Sequence, residues 1–490
     1  MLIVAVVGVP ILVALIRPVS HDESQYVTAT ALTARGLLPY RDYAFLQTPL
    51  QPLLLAPLAW LFPGHLFLAS RLANALLGSA TLALVYAAAR RAGASLGAAR
   101  AATALLLCCH VFLWSTGVAR NDMLPAALLA AALCLAIDPR GMVRPLAAGL
   151  CLGLAVAAKI SYALPAAAML LVLLKPAEGR LRQAPLLMIA GMAPGGLIVA
   201  ALAAAAPQAF LFEVFTFGIR APAQWNEQLG EQWKMGSLRF AYFLAIALVG
   251  PALCAMAWVA SDGWRRRAVP GINANERLLL AAIVGGIVSA LLNRPVNIPY
   301  LLPALPPLFV LLAMVLTRWQ PRGWLLAPWA ATTLAGIVPA SLWLVHAVTA
   351  GASVPRAVEA RAAVLGAMLR AHHASGDMAS LSGELIADSG YPLDPRFAAG
   401  PFPFRTEGLV SERQAVEWRI VTRDQAAALR SGPLPGAFVS GIENKPQLNL
   451  DQPLTKDATE LGFVAVGRVG EMILWLPRPR APTVEPIKKP

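Results

Sequence analysis

The sequence predicts a polytopic α-helical membrane protein of about eleven spans with a small α/β domain at its carboxyl end. Three observations predict it. Of 490 residues, 58% are hydrophobic and only 13% charged, with a mean hydropathy of +0.62, which excludes an ordinary soluble enzyme. Apolar runs of spanning length recur as far as residue 350 and then stop. The charge divides at the same place: of a net +14, residues 1–350 hold 24 Lys/Arg against 11 Asp/Glu, and the remainder holds 16 against 15. The basic residues lie between apolar runs and form no single stripe, which argues against a nucleic-acid partner and fits loops facing anionic lipid.

The spans are expected at 2–16, 66–89, 99–118, 123–138, 145–158, 160–174, 185–206, 240–260, 278–292, 298–317 and 324–350, with a shorter apolar piece at 50–62. The run 2–16 has no basic start and no Ala-x-Ala exit, so it reads as a first span kept in the mature protein. With the amino terminus cytoplasmic, the inward loops carry Arg90, Arg91 and Arg100, then Arg140 and Arg144, then Lys175, Arg180 and Arg182, then Arg265, Arg266, Arg267 and Arg277, and last Arg318 and Arg322. Each inward loop is basic, as the positive-inside bias requires. An odd number of spans sends the carboxyl terminus outside. The five cysteines, Cys108, Cys109, Cys134, Cys151 and Cys254, all lie in apolar stretches without a CxxC pair and read as packing residues.

The expected domains are a membrane domain over residues 1–350, with a first outer loop at about 17–65, and a soluble domain over 351–490. In the latter an amphipathic helix is expected near Pro355–His373. Strand-like pieces follow at Glu384–Ala387, Glu417–Val421, Ala437–Val439, Phe463–Val466 and Met472–Leu476.

The polar residues that resist a purely structural reading fall on the outer side. His21-Asp22-Glu23-Ser24-Gln25-Tyr26 follows the first span, then Pro39-Tyr40-Arg41-Asp42 and Gln47-Thr48-Pro49. Adjacent acids here either start a surface helix, with Ser20 or Asp22 as its cap, or place a carboxylate in a cleft where desolvation raises its pKa and makes it a general base. Arg120-Asn121-Asp122 opens the span at Met123 and divides the same way between a helix cap and a second acidic site. Outer cations at Lys159, Arg220, Lys234, Arg239 and Arg294 run against the charge bias and suggest an anionic ligand. Snorkelling at span ends is the competing explanation for Lys159, Arg71 and Arg239. His21, Asp22 and Glu23 offer ligands for a divalent metal, with no spacing distinctive enough to assign one.

A lipid-linked anionic sugar donor needs an apolar entry, fixed cations for its phosphate and a base at the membrane surface, and the sequence offers each. Asp22-Glu23 with Tyr26, Tyr40-Arg41-Asp42 and Pro49, Arg71-Leu72 with Asn74, Arg120 with Asp122-Met123, and Pro299-Tyr300-Leu301-Leu302-Pro303 occur in an order that resembles the GT-C glycosyltransferases. The branch resembled is the one holding protein O-mannosyltransferases and the aminoarabinose transferase of lipid A, and the resemblance covers roughly residues 1–320. It implies inverting transfer from a polyprenyl-phosphate sugar to a periplasmic glycolipid, polysaccharide or protein, in a bacterial inner membrane. It also implies roles: Asp22 the first-loop catalytic carboxylate, Glu23 its acidic neighbour, Asp122 the second acidic site, and Tyr26 and Tyr300 donor-site residues. Tyr40, Arg41, Arg120, Lys159, Arg220 and Arg294 complete the expected phosphate and sugar site. The aminoarabinose branch tends to carry Lys before the paired prolines of the first loop, where this chain has Gln47-Thr48-Pro49. The competing classes are a ligase or polymerase using polyprenyl-diphosphate sugars, and a lipid or sugar transporter.

Overall fold

A computed structural model describes residues 2–137, 141–174, 183–266, 272–445 and 448–478. Each expected apolar run holds a helix, but their lengths differ from expectation. Among the described residues five helices are long and apolar enough to cross a membrane, or seven when each of two bent pairs counts as one span: Leu66–Arg91, Ala184–Ala205, Ala274–Leu292, Ile298–Arg318 and Gly323–Thr349, with the pairs Leu96–Leu107 + His110–Thr116 and Arg239–Leu248 + Ala252–Arg265. Ile3–Ile16, Met123–Ala136, Val143–Ala158 and Ile160–Leu173 are shorter. The last two are the halves of a run broken at Lys159, whose extended backbone (φ −154°, ψ 119°) ends one helix before the next begins.

The bends have physical causes. Pro251 follows the break at Val249–Gly250, and the freed Val249 carbonyl accepts His110 N at 3.2 Å, where the other bent pair breaks after Cys108-Cys109. Gly336 of the helix Leu326–Thr349 lies so close that a Cβ there would sit 2.0 Å from the Cys108 carbonyl oxygen. All five cysteines are free.

At the bundle end away from the first loop, Arg91 donates to the Ile137 carbonyl. Asp262 and Glu276 tie three helix ends together through Arg266 and Arg318, with Arg318 Nη1 2.7 Å from Glu276 Oε1. The expected loop cations Arg140, Lys175, Arg180, Arg182 and Arg267 lie outside the described residues.

After the apolar helices comes the helix Val354–Ala371 and a four-stranded sheet. Its order is Met378–Ser380, Ala437–Ser440, Met472–Pro477, Phe463–Val469, the first pair parallel and the others antiparallel. Two expected strands are not strands. Residues 384–387 lie in the helix Gly383–Asp388, buried against the first-loop helix Glu23–Ala34, so their apolar pattern reflects burial and not a pleat. Residues 417–421 begin as the end of the helix Glu412–Glu417, fixed by a Ser411–Gln414 capping box.

This C-terminal segment is seated on the first loop by polar contacts. Ser24 Oγ donates to the Leu381 carbonyl at 3.0 Å and accepts Gly383 N at 2.8 Å. Asp388 accepts Leu66 N at 2.7 Å and Phe67 N at 3.2 Å, so a carboxylate from the segment caps the amino end of the helix Leu66–Arg91. Arg35 pairs with Asp377 at 3.2 Å and His65 with Glu359 at 2.8 Å.

Candidate active site

Asp22 occupies the N-cap position of the helix Glu23–Ala34, and Asp122 that of Met123–Ala136, yet neither side chain makes a capping hydrogen bond. Both turn instead toward Arg120. Arg120 Nη1 bonds Asp22 Oδ2, and Arg120 Nε lies 3.1 Å from Asp122 Oδ2. Lys159 Nζ pairs with the other oxygen of Asp122 and sits 5.5 Å from the centre of the Tyr300 ring. Lys159 is 6% exposed, so it does not snorkel. Two acids and two cations therefore converge on one point from three breaks in the helical bundle.

Neighbouring contacts fix those breaks. Glu23 is fully buried and its carboxylate is fully subscribed: Oε1 accepts Arg71 Nε at 2.8 Å and Ala119 N at 2.7 Å, and Oε2 accepts Arg71 Nη2 at 2.7 Å and Ser20 N at 2.9 Å. Arg71 donates onward to the carbonyls of Ala14 and Arg17. Glu23 thus clamps the backbone on either side of Asp22 and next to Arg120, and leaves no lone pair for chemistry. Asn74 holds the same turn through the carbonyls of Ser115 and Val118. Asn121 bonds the Ala158 carbonyl at 2.9 Å, tying the Asp122 turn to the Lys159 break.

Asp22 and Arg120 open on a cavity of about 300 Å³ whose lining joins the first loop, the helix Phe217–Gln228, the turn before Tyr300 and the C-terminal segment. Tyr26, Gln25, Gln47, Asn226 and Asn297 supply polar lining, while Phe217, Ala221, Trp225 and Ile298 supply an apolar flank. Gln25 is 2% exposed and its Oε1 has no hydrogen-bond partner among the described residues. Trp114 lies between two guanidiniums, 4.3 Å from Arg17 and 5.0 Å from Arg120.

The expected rise in the pKa of Asp22 is reversed. Burial pushes its carboxyl up, but Arg120, Arg405 and His21 outweigh burial and hold it below the usual carboxylate range. The three residues that offered ligands for a metal, without a spacing that assigned one, face different partners: His21 lies 3.8 Å from Glu443, Asp22 faces Arg120 and Glu23 faces Arg71. Among the described residues no group of three or more His, Cys, Asp or Glu side chains is placed to hold a metal.

The structure brings Asp22, Tyr26, Arg120, Asp122, Lys159 and Tyr300 together and leaves five expected residues elsewhere. Glu23 is the clamp just described. Tyr40 packs on Phe210, ring centroids 5.1 Å apart, and donates to the Gln47 carbonyl at 2.6 Å, so it shapes the first loop from behind. Arg41 pairs with Asp42 on the surface, and Arg220 and Arg294 are exposed and absent from the cavity lining. Arg405, which the sequence reading missed, lines the cavity from the C-terminal segment. Its signal was a cation closing the aromatic, proline-rich run Pro401-Phe402-Pro403-Phe404-Arg405.

No family model and no curated protein matches the sequence. The fold is the GT-C fold that the order of motifs led us to expect, shared with three solved structures. The chain is similar to ArnT of Cupriavidus metallidurans bound to undecaprenyl phosphate, at 17% identity and a TM-score of 0.63 over 97% of each chain. The apo state of that protein gives 16% and 0.62, again over 97% of each chain. An oligosaccharyltransferase of Archaeoglobus fulgidus in its apo form gives 13% identity and a TM-score of 0.50 over 90% of this chain and 69% of that one.

Proposed function

We propose that this chain is an inverting glycosyltransferase that moves a sugar from a polyprenyl-phosphate donor to an acceptor hydroxyl on the periplasmic side of a bacterial inner membrane. The observation that carries it is Asp22: a carboxylate released from helix capping, held by Arg120 at the edge of a cavity that has both an apolar flank and a polar lining in which Gln25 Oε1 is unpartnered among the described residues. In the reaction Asp22 takes the proton of the acceptor hydroxyl as its oxygen bonds the anomeric carbon. The bond from that carbon to the phosphate oxygen breaks, and the electron pair leaves on the phosphate. A phosphate departs readily, so a second acid is not required. Asp122 then serves to fix Arg120 and Lys159, and Gln25 and Asn297 offer hydrogen bonds to sugar hydroxyls. The apolar flank formed by Phe217, Ala221, Trp225 and Ile298 suits a polyprenyl tail. Undecaprenyl phosphate in the similar ArnT structure supports the donor class.

The test is native mass spectrometry of the purified protein with a polyprenyl-monophosphate sugar, a polyprenyl-diphosphate sugar and a nucleotide sugar. Selective retention of the monophosphate, with transfer to a periplasmic extract, is the expected result. Preference for the diphosphate moves the protein to the ligase or polymerase class, and retention of none removes the transferase reading.

A further inference from the structure

Arg120 and Lys159, two of the cations near the cavity, are already committed. Arg120 is engaged by Asp22 and Asp122, and Lys159 by Asp122. Arg405 is different. It lies 5.1 Å from the Trp225 ring centre and 4.7 Å from that of Phe402, both of which line the same cavity. Its Nε is buried without a hydrogen-bond partner, and no ion pair of its guanidinium is found among the described residues. Arg405 is half-buried, and a guanidinium partly withdrawn from water is ordinarily paired, because desolvating an uncompensated charge is costly. Burial holds it below its usual range, with Asp22 and Glu443 pulling the other way. An uncommitted fork of N–H donors facing a cavity fits a tetrahedral anion.

Resting on the transfer reaction proposed above, we infer that Arg405 binds the phosphate of the polyprenyl carrier, so that the C-terminal segment supplies the cation on which the leaving group lands. The site is then complete only while that segment is seated on the first loop. The seat is close: a Cβ at Gly400 would lie 2.9 Å from Ser24 Oγ, and Gly400 precedes the turn that presents Arg405.

The experiment uses the full chain in detergent, with undecaprenyl phosphate, undecaprenol and a phosphorylated glycolipid as probes. Wild type is expected to prefer undecaprenyl phosphate to undecaprenol. Arg405→Met keeps the apolar stem and should weaken binding of the phosphate by about tenfold or more while leaving undecaprenol unchanged. Arg405→Lys, a point charge in place of a fork, should fall between. Undiminished affinity of Arg405→Met for undecaprenyl phosphate overturns the inference, as does a loss confined to the phosphorylated glycolipid, which would assign Arg405 to the acceptor. Should Arg405→Met not fold, unchanged phosphate affinity in Arg405→Lys overturns it instead. If wild type does not distinguish the phosphate from the alcohol, the donor class itself fails, and Arg405 with it.

Discussion

Asp22 and Asp122 stand where helix caps stand, and both have given up capping for Arg120. A cap contributes about 1 kcal/mol, so its loss at two adjacent turns needs a compensating role, and the shared guanidinium provides one. On the proposed reaction, Asp22→Asn should lower transfer by about 10²–10⁴ while the protein stays folded, since it keeps the shape and removes the proposed base. Full activity in that variant would remove Asp22 from the mechanism. The pH–rate profile is a second check. With Asp22 held below the usual carboxylate range, it remains ionised as pH falls through neutrality, so the acid limb belongs below about pH 4. A limb near pH 6 would contradict the ion pairing. Glu23 behaves oppositely: Glu23→Gln leaves Arg71 buried beside a neutral amide, and should cost about 3–5 kcal/mol, read as a lowered unfolding midpoint. These residue types were legible because acids and cations at span ends violate the composition around them. Their division of labour was not, because adjacent Asp22 and Glu23 point to opposite partners, and only the packed turn decides which is saturated.

The helices Val143–Ala158 and Ala184–Ala205 show how an element is placed in an apolar bundle. Without a hydrophobic drive between lipid-facing helices, close backbone approach is a principal source of association. Gly149 and Gly153 on one helix face Gly191 and Gly195 on the other: a Cβ at Gly149 would sit 2.0 Å from the Met188 carbonyl oxygen, and one at Gly195 2.3 Å from the Gly153 backbone. Gly195→Val should therefore force the pair apart and lower the unfolding midpoint, whereas Gly196→Val, with open space around its Cβ, should be close to neutral. Equal effects at the two positions would refute the packing argument. Helix existence was readable because apolar run length is local. Helix length was not, because the breaks at Cys108-Cys109 and Val249–Gly250 depend on each other and on Gly336, which is remote in sequence. The same reason misled the strand reading at Glu384–Ala387, whose apolar residues answer to the first-loop helix.

On the scale of the molecule, the C-terminal segment and the first loop meet across a surface that contains ionisable groups of one tendency. Burial pushes Glu384 up to about 8, with Glu443 and Glu23 nearby adding to the rise, and pushes Asp388 up to about 6 although it accepts two backbone N–H groups. Glu359 raises His65 at the same seat. For the two acids the folded state binds more protons than the unfolded state between about pH 4 and their folded pKa values, so their contribution falls as pH rises through that window. The His65–Glu359 pair is present below the unfolded pKa of His65 and is lost as pH rises through the folded one, which has the same sign. Hydrogen exchange in residues 378–388 should therefore be slower at pH 5 than at pH 8 after correction for the intrinsic rate. Glu384→Gln, which cannot ionise, should recover part of the protection at pH 8. Protection that is flat with pH, or a Glu384→Gln variant no better protected than wild type, would show that the seat does not depend on these acids. Because Arg405 rides on the same segment, affinity for undecaprenyl phosphate should decline with the protection, and Glu384→Gln should restore both together. Restored protection without restored affinity would separate the seating of the segment from the completion of the site.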